Sequence, residues 1–416
     1  MTTDVTPAQA SLVVDADGHI IEPPDLWVER MDRGKWGDDI PHLVADMGVM
    51  YVGGVARGRG QSASQEVADK KGLSVDEVRE ITASLSLAGG SDPDARVATL
   101  DRDGMDAAVL YPTSALFFGP VDPIEKLRNV AFVADCERAY NDWLAEYCGT
   151  HPDRLFGVAA VPLQDVALAV EEAHRVVNQL GLKAVFIRPS AYLDDLPLSH
   201  EAYDPFWAAC QDLDVPVALH PGVHVDTPGA CRLFRLCRDT PNVYINNSDV
   251  DPIYGGAALG QAIGNSVDMM VTMGRLLMGG VCERFPRLRF LFLESGGGWV
   301  PTQLQRMDEQ VRTFRLESQW LSMLPSDYFK RQCWVSFDPD EWNLAESATF
   351  VGADRILWAS DYPHPEYRPE VVGELRGAIA RLPERDQVRI LGANAVAAYR
   401  LPAAAIVARG SAPADA

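Results

Sequence analysis

The chain has 416 residues, with 37 Lys+Arg against 59 Asp+Glu and a formal net charge of −22. Its 47% hydrophobic and 23% charged residues are ordinary globular usage, which excludes a disordered, collagen-like or coiled-coil chain and allows one large domain with an elaboration. The acidic balance argues against nucleic acid or an anionic membrane as a partner. No apolar run reaches the ~18 residues of a membrane span. The polar start MTTDVTPAQA reads as that of a cytoplasmic protein, with its seven Cys reduced.

Eight short, β-rich apolar runs follow one another at 12–17, 107–111, 155–161, 182–188, 215–220, 288–294, 333–337 and 356–361. Such runs suit strands buried on both faces. Longer amphipathic stretches lie between and after them, at 123–149, 164–180, 200–213, 265–285, 300–316, 341–351, 370–381 and 384–401. The alternation predicts a parallel (β/α)8 barrel over 12–401, with a doubly wound eight-stranded sheet as competitor. About ninety residues separate the first two runs, far more than a barrel connection needs. The segment 25–100 therefore reads as an insertion, a lid over the barrel mouth or a dimer arm, with a Gly/Ser-rich stretch RGRGQSASQ and a helix-like 74–84. The Ala-rich tail 402–416 reads as disordered.

Barrel chemistry lies where strands end. The first strand closes with Asp17-Gly18-His19, the fourth with Arg188, the fifth with His220, the sixth with Glu294 before three glycines, and the eighth with Asp361, His364 following three residues later. Singly, each has a bland reading as a cap, a turn residue or a satisfied core side chain. Jointly they would be costly in a core, and a divalent ion resolves the cost. Asp17 and His19, two apart in a strand, share a face. With His220 and Asp361 they make an open mixed N/O site, suited first to Zn2+ and next to Mn2+. Glu294 and His364, with Asp361, are the candidate acid–base groups. Arg188 reads as an anion clamp or a structural ion pair. His224 reads as a substrate contact. Trp27, Phe117, Phe118, Trp299 and Trp342 read as pocket lining, with core packing favoured for any single one. His42, His151, His174 and His200 read as surface or structural.

The segments VVDADGHIIEPPDLW, LDRDGMDAAVLYPT, PVALHPG, VCERFPRLRFLFLESGGGWVP and RILWASDYPHPE, in this order from residue 13 to 399, resemble the metal-dependent amidohydrolase superfamily. The resemblance is to the branch of aminocarboxymuconate-semialdehyde decarboxylase. It implies a (β/α)8 barrel, one metal, a small-molecule substrate and a homodimer. The first-strand His-x-His of that pattern is Asp17-Gly18-His19 here, and the sixth-strand catalytic His is Glu294. Binuclear relatives use a carbamylated Lys at the fourth strand end; here Lys183 begins that strand and Arg188 occupies the mouth end, so one metal is expected. The resemblance implies decarboxylation of an aromatic or unsaturated carboxylic acid. A hydrolase of an amide, lactone or C–C bond, using a metal-bound water, is the alternative, and a non-catalytic metal-stabilised binding protein the minor one.

Overall fold

Apolar runs buried on both faces pair side by side, and here they do so in the order of the chain. The structure, a computed structural model, describes residues 12–44, 49–57, 88–118, 125–193, 196–222, 260–364 and 367–410. Strand β1 (Val14–His19) is followed by β2 (His42–Val44), β3 (Val49–Val52) and β4 (Val55–Arg57), which form a separate antiparallel sheet. Strands β5 (Ala107–Tyr111), β6 (Leu155–Ala160), β7 (Ala184–Ile187), β8 (Val217–Leu219), β9 (Phe290–Phe292), β10 (Cys333–Phe337) and β11 (Ile356–Trp358) continue from β1 in one eight-stranded parallel sheet. The ring is drawn together between its first and last members by backbone bonds from Asp361 N to Asp17 O (3.2 Å) and from His19 N to Tyr362 O (2.6 Å).

Helices alternate with the strands, as the βα rule requires. Their starts follow local capping chemistry. Asp165 accepts from Ala167 N and Leu168 N at the head of Val166–Asn178, and Asn129 from Phe132 N at the head of Val130–Gly149. The first barrel helix, Pro93–Asp103, lies partly inside the stretch read as insertion. Asp92 caps it, Pro93 occupies its first turn, and Gly104 ends it at φ +73°, a legible start and stop. The helix Pro325–Gln332 also begins with a proline that the chain-order reading passed over.

The described part of the stretch read as an insertion rests on the Val130–Gly149 helix. Trp27 is buried and donates from Nε1 to Cys136 O (3.0 Å), and Trp36 packs edge-on against Phe132 at 5.1 Å. Trp27 is thus core rather than pocket lining. The helix-like stretch 74–84 lies outside the described residues. The first strand is Val14–His19, so Asp17 and His19 close it as the sequence indicated, and one further expectation is corrected. The tail opens with a helix, Ala403–Gly410, whose Ile406 is 2% exposed, because an apolar residue there finds the barrel's outer layer. Cys136, Cys148, Cys210, Cys282 and Cys333 are buried free thiols. Among the described residues no helix is long and apolar enough to cross a membrane.

Candidate active site

His19 and His220 are fully buried at the C-terminal ends of β1 and β8. The Nδ1 of His19 faces Pro112 O at 2.8 Å, and that of His220 faces Pro221 O at 2.9 Å. A carbonyl only accepts, so each ring carries its proton on Nδ1 and presents the lone pair of Nε2. The two Nε2 atoms are 3.2 Å apart. Burial is the first cause that keeps both rings neutral, holding His19 well below the usual imidazole range and His220 down at about 3, with the charge of His364 acting the same way.

Two carboxylates meet these lone pairs. Asp17 Oδ1 lies 3.6 Å from His220 Nε2 and 4.0 Å from His19 Nε2. Asp361 Oδ1 lies 3.4 Å from His19 Nε2. Asp17 Oδ1 is buried with no hydrogen-bond partner among the described residues. Burial, then the neighbouring charges of Asp361, Asp15 and Asp338, push the Asp17 carboxyl well above its ordinary range. Lone pairs and an orphaned buried oxygen crowded together repel unless a cation joins them. A tetrahedral ion with bonds of about 2.1 Å sets its ligand atoms about 3.4 Å apart. The separations among Asp17, His19 and His220, 3.2 to 4.0 Å, fit that requirement, and Asp361 Oδ1 approaches the same His19 Nε2 at 3.4 Å.

Glu294 and His364 flank this cluster. Glu294 Oε2 is 3.0 Å from His220 Nε2, and its side chain is 19% exposed. Glu294 and Asp361 both adopt left-handed backbone, at φ +44° and +53°, a conformation unusual for residues with a Cβ and typical of sites held by their surroundings. His364 stacks on His19 with ring centres 4.0 Å apart, and its Nδ1 is 2.8 Å from Asp361 Oδ1. On its other side Nε2 is 3.0 Å from Thr113 Oγ1, whose single hydroxyl proton goes to Ile20 O at 2.5 Å. The Thr113 oxygen therefore accepts from His364, and the ring's Nε2 is protonated. His364 joins His19 and Asp361 as a second possible metal-holding trio beside Asp17, His19 and His220.

The three glycines after Glu294 serve the protein's own packing, not only an approaching substrate. Gly297 N and Gly298 N donate to the Glu341 carboxylate at 3.0 to 3.1 Å, and a Cβ on Gly297 would fall 2.0 Å from the Phe337 ring. Burial, and then Asp338, push Glu341 up to about 7. Trp299 donates its indole N–H to Ser295 O (3.1 Å), which braces this loop. Arg188 is buried after β7, and its charge is one of the causes lowering His220.

One pocket-lining expectation falls away from the site. Trp342 is 92% exposed, so it lines no pocket here. The Phe117 side chain and His224 lie outside the described residues. His151 pairs with Asp94 (2.7 Å), His200 accepts from Ala202 N, His42 stacks on Tyr51, and His174 is exposed. Sequence reasoning missed Thr113 and Glu22. Glu22 accepts from the backbone N–H of Thr113, Ser114 and Ala115 and so fixes the loop that holds His364. A lone Thr after a strand carries no signature of that role.

The profile of the amidohydrolase family matches residues 14–401. The chain is 28% identical over 285 residues to a gamma-resorcylate decarboxylase of Rhizobium sp. (strain MTP-10005), covering 65% of this chain and 76% of that one. It is 24% identical over 310 residues to the 2-amino-3-carboxymuconate-6-semialdehyde decarboxylase of Dictyostelium discoideum, covering 73% of this chain and 76% of that one. Its fold matches a dihydroxybenzoic acid decarboxylase of Polaromonas sp. JS666, crystallised with manganese and the inhibitor 2-nitroresorcinol, at a TM-score of 0.59 and 19% identity over 94% of this chain and 97% of that one.

Proposed function

Because the chain belongs to the amidohydrolase family, we propose that it is a metal-dependent decarboxylase that releases CO2 from an aromatic carboxylic acid. The observation that carries the reading is the convergence of His19 Nε2, His220 Nε2, Asp17 Oδ1 and Asp361 Oδ1 at the mouth of the barrel. The relatives named above act on aromatic or unsaturated acids, which supports the reaction class. A divalent ion held by these four residues supplies Lewis-acid polarisation of a bound carboxylate or an adjacent hydroxyl. The N/O donor set suits Mn2+ as well as Zn2+, and manganese is the ion of the Polaromonas structure.

The chain's own residues divide the remaining work. Arg188, buried beside His220, balances the charge of the substrate carboxylate. Decarboxylation breaks one C–C bond, releases CO2 and requires one proton at the ring carbon. Glu294 delivers that proton, because its carboxyl is partly open to solvent and touches the cluster at 3.0 Å. His364, held between Asp361 and Thr113, keeps the Asp361 carboxylate aimed at His19 and stores a second proton. The resemblance adds a homodimer to this proposal, and the composition a cytoplasmic location.

The test is a screen of the metal-loaded protein against hydroxylated aromatic carboxylates, with amides and lactones alongside. Release of CO2 from at least one acid, abolished by a chelator and restored by Mn2+ or Zn2+, is the expected result. Hydrolysis of an amide or lactone without CO2 release from any acid would overturn the decarboxylase reading.

A further inference from the structure

Three of the four candidate ligands, Asp17, His19 and Asp361, lie where β1 meets the turn after β11. Along its other edge β1 is registered by a parallel ladder to β5. Along this edge β1 and β11 form no ladder among the described residues, and two backbone bonds join β1 to the turn after β11. Side chains supply the rest of the join. Asp15 Oδ1 accepts from Ser360 N at 3.0 Å and Asp15 Oδ2 from Ser360 Oγ at 2.5 Å. Arg96, fully buried on the inner face of the Pro93–Asp103 helix, donates from Nη1 to His19 O (3.2 Å) and to Tyr362 O (3.1 Å). Its Nη2 is 3.5 Å from Asp15 Oδ2, and its guanidinium carbon sits 4.3 Å from the centre of the Tyr362 ring.

We propose that Arg96 is a positioning residue for the ion site, clamping the carbonyl of the ligand His19 and the carbonyl that follows the ligand Asp361 into one fixed spacing. The proposal rests on the reading of the four residues as an ion site. Arg96 touches no ligand side chain; it acts through the backbone on both sides of the join. The planar fork of a guanidinium reaches two carbonyls and a carboxylate together, which a single ammonium does not reproduce. Gly18 belongs to the same device. A Cβ at Gly18 would fall 2.4 Å from Arg96 Nη2 and 2.6 Å from Asp15 Oδ2, so the chain leaves that space to the clamp. A merely structural Arg96, present to neutralise buried Asp15, would be replaced by Lys with no consequence for the ion.

The experiment compares the metal-free full chain with Arg96→Lys. Each is titrated with Co2+ and followed by its visible ligand-field spectrum and Kd, and the melting of each metal-free protein is recorded. The expected result is a folded variant that still takes up Co2+, with an altered spectrum and a Kd weakened about 10- to 100-fold, the usual cost of losing a group that orients ligands. An unchanged Kd and spectrum in the folded variant, with or without a lower melting temperature, would overturn the proposal. If Arg96→Lys does not fold, Ser360→Ala loosens the Asp15 end of the clamp with the buried charges kept, and is read by the same two outcomes. Failure of the unmodified chain to bind Co2+ would sink the ion-site reading, and the clamp with it, and is told apart by that control.

Discussion

At the level of single residues the site is built from groups whose protonation is fixed by their neighbours. His220 is neutral and turns its Nε2 lone pair toward Glu294 at 3.0 Å. Glu294→Gln keeps the size and removes the titratable proton. The variant is expected to bind metal normally and to lose turnover by about two to four powers of ten, the usual range for a general acid. Loss of metal would make Glu294 a ligand, and unchanged turnover would make it structural. The two buried imidazoles also set the acid behaviour of the metal-free protein. Their folded pKa values lie below that of a free imidazole, so their contribution is complete above about pH 6.5 and is lost as pH falls toward the folded values, about 3 for His220. Unfolding free energy measured by denaturant titration should fall between pH 6.5 and 4. His220→Gln should remove up to about 1.4 kcal/mol per pH unit of that slope. An unaltered slope in His220→Gln would show that the ring is accessible to protons in the folded state.

Asp17, His19, His220 and Asp361 were legible because an ionisable side chain closing an apolar run is anomalous, and four such anomalies share one end of one sheet. Asp15 lies two residues before Asp17, but the strand's register shifts between Asp15 and Gly18, so alternation does not reveal its place beside Ser360 and Arg96. Thr113 and Arg96 were not legible. A hydroxyl after a strand and an arginine on a helix are common, and their meaning comes only from what folds against them.

At the level of elements, the strands were readable because burial on both faces makes them continuous apolar runs, and the structure keeps all eight with ends shifted by at most three residues. The first barrel helix was lost because its cap and proline sat in a segment already assigned to an insertion. Asp92 there accepts from Asp94 N and Ala95 N, so Asp92→Ala should cost about 1 kcal/mol in unfolding free energy. The loop after β9 is held more tightly. Gly297 abuts Phe337, and its N–H is bound by Glu341. Gly297→Ala forces a ring or the loop to move and is expected to cost about 1–3 kcal/mol. It should also lower turnover through displacement of Glu294, three residues earlier. A melting curve and a rate equal to those of the unmodified protein would show the loop to be free to yield.

At the level of the whole molecule, the ring of eight strands brings residues far apart in the chain, Asp17, His220 and Asp361, to within 4.0 Å of His19 Nε2. A ligand bound only by the folded state stabilises it in proportion to its occupancy, by about 2.7 kcal/mol at a hundredfold excess over Kd. Chelation should therefore lower the melting temperature, and readdition of Mn2+ or Zn2+ should restore it. The excess of 22 negative charges does not oppose such a site, since it favours cation capture.

Metal content per chain tests the central claim most directly. Elemental analysis after loading and dialysis should give about one divalent ion per chain for the unmodified protein, and close to none for Asp361→Ala and for His220→Ala with folding intact. Equal metal content in all three proteins, or none in the unmodified one, would contradict the assignment of these residues to an ion.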